Sequence, residues 1–131
     1  MTDAHDTMVR TMLGRYRGRE IKTTGDGFLA SFDATTRAVR AAIEIANQAK
    51  TIGLDVRAGV HAGEVEVRPD DVIGLTVSTA KRICDLAGPA EVFTSRTVRD
   101  VAAGSGVTFE DRGDYTLKGV PGTWRLFAAT A

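Results

Sequence analysis

Residues 20–28, Glu20-Ile-Lys-Thr-Thr-Gly-Asp-Gly-Phe28, decide how the chain is read. A single lysine, two threonines and a Gly25-Asp26-Gly27 turn stand between apolar residues. Glycine adopts positive φ at no steric cost, and Asp-Gly is a preferred hairpin tip. The stretch therefore predicts two antiparallel strands, 20–24 and 28–32, joined at Asp26. Taken alone, the stretch is better read as an ordinary hairpin turn with solvated Lys22 and Asp26. On the N-terminal side, Met8, Met12, Leu13 and Tyr16 recur at helical spacing before Gly18, predicting a helix over 3–17. On the C-terminal side, Asp33 stands where it could cap a helix whose apolar face is Val39, Ala42, Ile43, Ala46 and Ala49.

Beyond Gly53 the pattern predicts a strand region over 54–67, interrupted at His61-Ala62-Gly63, and a turn at Arg68-Pro69-Asp70-Asp71. Val77, Ala80, Ile83, Cys84 and Ala87 mark a further helix, stopped by Gly88-Pro89. A strand at 91–94, a short helix at 97–103 and closing strands at 108–117 and 123–128 complete a single domain, 1–131. Its order is α+β, with helices laid on one sheet.

Composition narrows the function. Lys plus Arg and Asp plus Glu both number 17, so net charge is zero and no basic stripe exists for a nucleic acid polymer. The single tryptophan and the absence of an aromatic pair on a basic strand argue against an RNA-binding sheet. No apolar run reaches the roughly 20 residues needed to span a bilayer, and residues 1–10 are polar without a signal-peptide core. A cytoplasmic location follows as the expectation. Cys84 is the only cysteine, which excludes an internal disulfide and a cysteine zinc cluster; it reads as a small buried hydrophobe.

Four stretches in order, EIKTTGDGF, AGVHAGEV, DDVIGLTVSTAKRI and YTLKGVPGTWRLF, resemble the catalytic domain of class III nucleotidyl cyclases, in particular the small actinobacterial adenylate cyclases. The resemblance runs from about residue 8 to 128. It implies a ferredoxin-like α+β subunit working as a head-to-tail homodimer with its active site at the interface. The implied reaction converts ATP to cyclic AMP and diphosphate with two Mg²⁺ or Mn²⁺ ions.

The resemblance also implies residue roles. Lys22 and Asp71 correspond to the pair that reads the base. Lysine only donates hydrogen bonds and an ionised aspartate only accepts them. Adenine offers an acceptor at N1 and a donor at N6, so the pair complements adenine; guanine reverses both. Asp26 corresponds to a metal-bridging carboxylate. Arg82 corresponds to the arginine that stabilises charge developing on the α-phosphoryl group. Ser78, one helical turn before it, stands where many relatives carry an asparagine that holds the ribose ring oxygen. Lys118 corresponds to the basic residue that meets the β- and γ-phosphates. His61 reads as structural.

The same resemblance calls for a first strand ending in an apolar-Thr-Asp motif, which supplies a second metal aspartate. No such segment occurs in these residues. The expectation is a ferredoxin-like domain without its first βα portion, N-terminally truncated, with unpaired strand edges. Two functions then compete. One is an adenylate cyclase domain, inactive or impaired as this chain. The other is a non-catalytic cyclase-like module that dimerises or binds nucleotide and regulates a partner.

Overall fold

The computed structural model describes residues 3–24, 27–69 and 71–131, with Asp3 and residues 22–24 described by their backbone alone. The chain runs α1 (Asp3–Arg15), β1 (Arg19–Thr24), β2 (Gly27–Ser31), α2 (Thr35–Thr51), β3 (Ala58–Val60), β4 (Glu66–Arg68), β5 (Asp71–Ile73), α3 (Leu75–Leu86), β6 (Val92–Ser95), α4 (Arg96–Ala102), β7 (Thr108–Thr116) and β8 (Thr123–Thr130).

The strands form three ladders where one sheet was predicted. A four-stranded sheet has the order β3-β6-β8-β7, with β3 and β6 parallel and the other pairs antiparallel. The β1–β2 hairpin pairs only within itself, as does the short β4–β5 ribbon. Strand β3 is therefore an edge of the main sheet among the described residues.

Alternation along the sheet puts helices on both of its faces. Val92 and Ala129 pack with Val39, Ala42, Ile43 and Ala46 of α2 and Val98 of α4. Their neighbours Phe93 and Ala128 point the other way and join Ile83 and Ala87 of α3, Leu117, Val120 and Leu126. Successive strand residues face opposite sides, so β6 and the stretch Leu126–Ala129 of β8 are buried on both faces. All five predicted apolar positions of α2 are buried.

Helix α1 packs along α2 and buries Val9, Met12 and Leu13. Arg10 then reaches the hairpin. Its Nε donates to Glu20 at 2.8 Å, and its guanidinium lies 5.4 Å from the centre of the Phe28 ring.

Two local predictions change. Helix α2 is capped by Ala34, in extended conformation and without a side-chain cap bond, so Asp33 lies one residue outside the capping position. The predicted 68–71 turn is tighter: Arg68 and Asp71 are themselves paired across the β4–β5 ribbon. The predicted 54–67 strand region is instead two three-residue strands, β3 and β4, the second running on to Arg68, because the chain leaves the sheet at His61 to form that ribbon.

Gly59 is the point where β3 and α3 touch. A Cβ there would fall 2.5 Å from the carbonyl oxygen of Ala80 and still closer to the amide nitrogen of Cys84, both backbone atoms of α3. No side-chain rotation relieves a backbone contact. Gly59→Ala is expected to lower stability by about 1–3 kcal/mol through forced separation of helix and strand, read from denaturant midpoints at unchanged m-value.

Candidate functional site

Asp71 opens β5, and α3 begins four residues later at Leu75. The Asp71 carboxylate accepts from the Val72 amide at 2.8 Å, and Val72 is buried, which fixes the strand at this point. Strand β1, which carries Lys22, lies against β5. The two strands assigned to the base-reading pair are thus neighbours in one subunit. The Lys22 side chain and all of Asp26 lie outside the described residues, so the arrangement is fixed at the level of the strands.

Ser78 and Arg82 project from α3 one turn apart, beside the buried pair Thr79 and Ile83 that holds the helix on the sheet. Ser78 is exposed. The Arg82 guanidinium is also well exposed and stands 3.7 Å from the Asp85 carboxylate. An exposed pair at that separation holds its partners weakly. The guanidinium can exchange that partner for a phosphate oxygen at small cost.

Lys118 sits in the turn between β7 and β8. Buried Leu117 and Val120 pin the turn, closed by the Val120 amide donating to the Leu117 carbonyl at 3.0 Å. Gly119 takes φ +77°, the value the third position of such a turn demands. Leu117 and Val120 belong to the same apolar cluster as Ile83 and Ala87 of α3. Arg82 and Lys118 therefore flank one packed unit, and both ammonium and guanidinium face water. Asp71, Ser78, Arg82 and Lys118 are linked through α3 and its cluster.

The root of the β4–β5 ribbon is tied down on two sides. Thr76 Oγ1 donates to the Glu64 carbonyl at 2.7 Å, and Gly63 passes so close to Thr76 that a Cβ there would meet its hydroxyl at 2.6 Å. On the other side, His61 Nδ1 lies 2.7 Å from Ser95 Oγ, and the imidazole meets the Trp124 ring edge-on at 5.3 Å. Burial lowers the His61 pKa below its ordinary 6.5, so the ring is neutral at neutral pH. Sequence reading placed His61 in the scaffold but did not find these partners, which lie far away in the chain.

Among the described residues, no three His, Cys, Asp or Glu side chains gather as a metal-binding group. A groove of about 350 Å³ lies elsewhere, lined by Arg96, Thr97, Asp114, Thr123, Trp124 and Arg125, and includes none of the predicted site residues. It is shallow and open, and Asp114 already stands 3.4 Å from Arg125 Nη1. Of the residues that resemblance singles out, Asp71, Ser78, Arg82 and Lys118 lie instead along β5, α3 and the Lys118 turn, at half-buried to exposed positions. Among the described residues, no helix is long and apolar enough to cross a membrane.

Residues 1–129 match the adenylate and guanylate cyclase catalytic domain family. The chain belongs to that family. It is 29% identical over 122 residues to a Rhizobium meliloti protein named "Putative adenylate cyclase 3", covering 86% of this chain and 21% of that protein. The chain thus spans well under half the length of the curated relatives it matches. Among solved structures, an adenylate/guanylate cyclase/hydrolase from Silicibacter pomeroyi superposes with TM-score 0.87 at 24% identity, covering 94% of this chain and 77% of that one. The catalytic core of a rhodopsin-guanylyl cyclase with converted specificity, in complex with ATPαS, also gives TM-score 0.87 at 24% identity, covering 98% and 80%. These likenesses establish the α+β cyclase-domain fold.

The separation of scaffold from site is testable in stability alone. Arg82→Ala and Lys118→Ala are expected to move unfolding free energy by no more than about 0.5 kcal/mol. Ile83→Ala, one residue along the same helix, is expected to cost about 2–5 kcal/mol. Equal losses at the three positions, measured by urea denaturation, would place Arg82 and Lys118 in the scaffold.

Proposed function

We propose that this domain is part of an adenylate cyclase: it binds ATP, reads the adenine with Lys22 and Asp71, and completes its site against a second copy of the domain. The observation that carries the reading is the adjacency of β1 and β5, with α3 following directly from β5. That order supports a nucleotide lying along one continuous surface. The base would meet Lys22 and Asp71, the ribose Ser78, the α-phosphoryl group Arg82, and the outer phosphates Lys118. Serine is shorter than asparagine, so Ser78 would reach the ribose oxygen through a water. The Arg82 guanidinium would stabilise negative charge as it develops on the α-phosphoryl oxygens during attack by the ribose 3′-oxygen. Lys118 would hold the departing diphosphate.

Asp26, between β1 and β2 in sequence, would hold Mg²⁺ or Mn²⁺ together with the phosphates, as Mg²⁺ commonly binds through one carboxylate and a phosphate chain. Such an ion supplies charge neutralisation on the phosphates when bound. Two-metal phosphoryl chemistry uses ions ~3.5–4 Å apart bridged by carboxylates. Residues 1–131 carry one carboxylate matched to that role. This favours the second reading, a nucleotide-binding and dimerising module, for these residues tested by themselves. The exposed apolar side chains Val65, Val67 and Leu75, on and beside the β4–β5 ribbon, support a homodimer contact next to Asp71. A nucleoside triphosphate ligand points to the cytoplasm.

Calorimetric titration of the 131-residue chain with ATP and GTP in the presence of Mn²⁺ tests the base-reading proposal. ATP is expected to bind about tenfold more tightly, within the ~1–3 kcal/mol that a good polar base contact discriminates. Lys22→Glu is expected to erase that preference. Equal affinities, or selectivity unchanged by Lys22→Glu, would sink it. These residues alone are expected to release no cyclic AMP. Clear turnover would overturn the single-carboxylate argument while leaving base reading intact.

A further inference from the structure

His61 leaves β3 where the chain turns out of the main sheet toward the ribbon that carries Asp71. Its partner, Ser95, is fully buried and has two duties. The Ser95 hydroxyl oxygen accepts from the Val98 amide at 3.4 Å as the N-cap of α4, and it lies 2.7 Å from His61 Nδ1. The Ser95 oxygen could accept from both Val98 and an Nδ1–H imidazole, but only one proton arrangement also gives the buried hydroxyl hydrogen an acceptor among these partners. The hydroxyl donates its hydrogen to Nδ1 of a neutral imidazole while its oxygen accepts from Val98. Trp124, in edge contact with the imidazole, is itself fixed by Nε1 donating to the Pro121 carbonyl at 3.0 Å.

We propose that His61 is a positioning residue, a proton-sensitive latch that ties the root of the β4–β5 ribbon to the start of α4 and to Trp124. In its neutral form the ring accepts from Ser95 and holds the segment against β6 and β8. A proton arriving at Nδ1 turns that acceptor into a donor. The Ser95 hydroxyl hydrogen, wholly buried, then loses its acceptor, and the contact must open or rearrange.

The sign follows from the direction of the His61 shift. A base whose folded pKa lies below its unfolded 6.5 stabilises the fold fully above pH 6.5, and that contribution is lost as pH falls through the folded value. The charged groups around this contact are Arg96 beside Ser95, Arg125 and Asp114 in the groove that Trp124 lines, and Arg57 and Glu64 on the segment of His61 itself. Burial pushes the His61 pKa down, and a hydroxyl donating to the neutral ring acts in the same direction.

The latch rests on the adenine-reading proposal only for its consequence, the placement of Asp71; its readouts need no nucleotide, so either idea can fail without the other. Trp124 is the only tryptophan of the chain, and its emission reports on the imidazole next to it. A pH titration of that emission is expected to show a transition with midpoint below 6.5. Hydrogen exchange of the amides of Glu66–Arg68 and Asp71–Ile73 is followed in parallel. Their protection is expected to fall across the same midpoint, by up to about tenfold for each pH unit by which that midpoint lies below 6.5. His61→Asn keeps an acceptor at the δ position without a titrating proton and is expected to remove both transitions while keeping neutral-pH protection. Ser95→Ala removes the buried hydroxyl and is expected to move the midpoint up toward 6.5. Transitions that persist in His61→Asn, or a Trp124 transition with unchanged protection of the ribbon, would overturn the latch.

Discussion

The close approach of Gly59 to α3 is the contact on which the rest of the arrangement depends. Backbone meets backbone there, and only a residue without a side chain allows it. Because β3 is parallel to β6 and α3 lies over both, this single approach sets the height and register of α3 on the sheet. Ser78 and Arg82 then stand where they do because Thr79 and Ile83, their neighbours, are driven into the sheet. The same packing draws in Leu117 and Val120 and holds Lys118 at the rim. Two exposed cations thus stand on an apolar foundation, Arg82 within 3.7 Å of Asp85 and Lys118 at the turn.

Charge pairs shape the far end of the molecule without carrying its stability. Arg125 Nε donates to both oxygens of Asp111, at 3.0 and 2.9 Å, across the bulge between Asp111 and Asp114 in β7. This hydrogen bond holds the Asp111 carboxyl below its usual pKa, with the Gly113 amide adding to the effect. Arg112 spans Glu91 and Glu110 and lies over the Phe93 ring. These groups are largely exposed, so water and salt screen them. They join β7 to β8 at the bulge and to Glu91 ahead of β6.

Much of this was legible in the sequence, and what was not has a physical reason. The apolar stripe of α2 repeats over several turns, and the pairing of β1 with β2 follows from the turn signal between two short apolar runs. Four motifs in the right order were enough to reach the cyclase family. Strand β5 was hidden because three residues carry no periodicity, and Asp71 read as the end of a turn rather than the start of a strand. The division into three ladders depends on which strand edges find partners, and side-chain alternation does not encode that. The His61–Ser95 bond joins residues 34 apart in sequence, and nothing local to His61 announces it. Asp33 had the right chemistry for a cap but missed the helix start by one position, a matter settled by how α2 docks.

On the proposed reading, β5, the exposed side of α3 and the Lys118 turn form one nucleotide-binding surface. Amide resonances of the chain titrated with ATPαS and Mg²⁺ test it most directly. The account predicts shifts concentrated at residues 71–82 and 117–120, with Arg96, Thr97 and residues 123–125 unmoved. Shifts confined to the Arg96–Arg125 groove, with α3 silent, would contradict it.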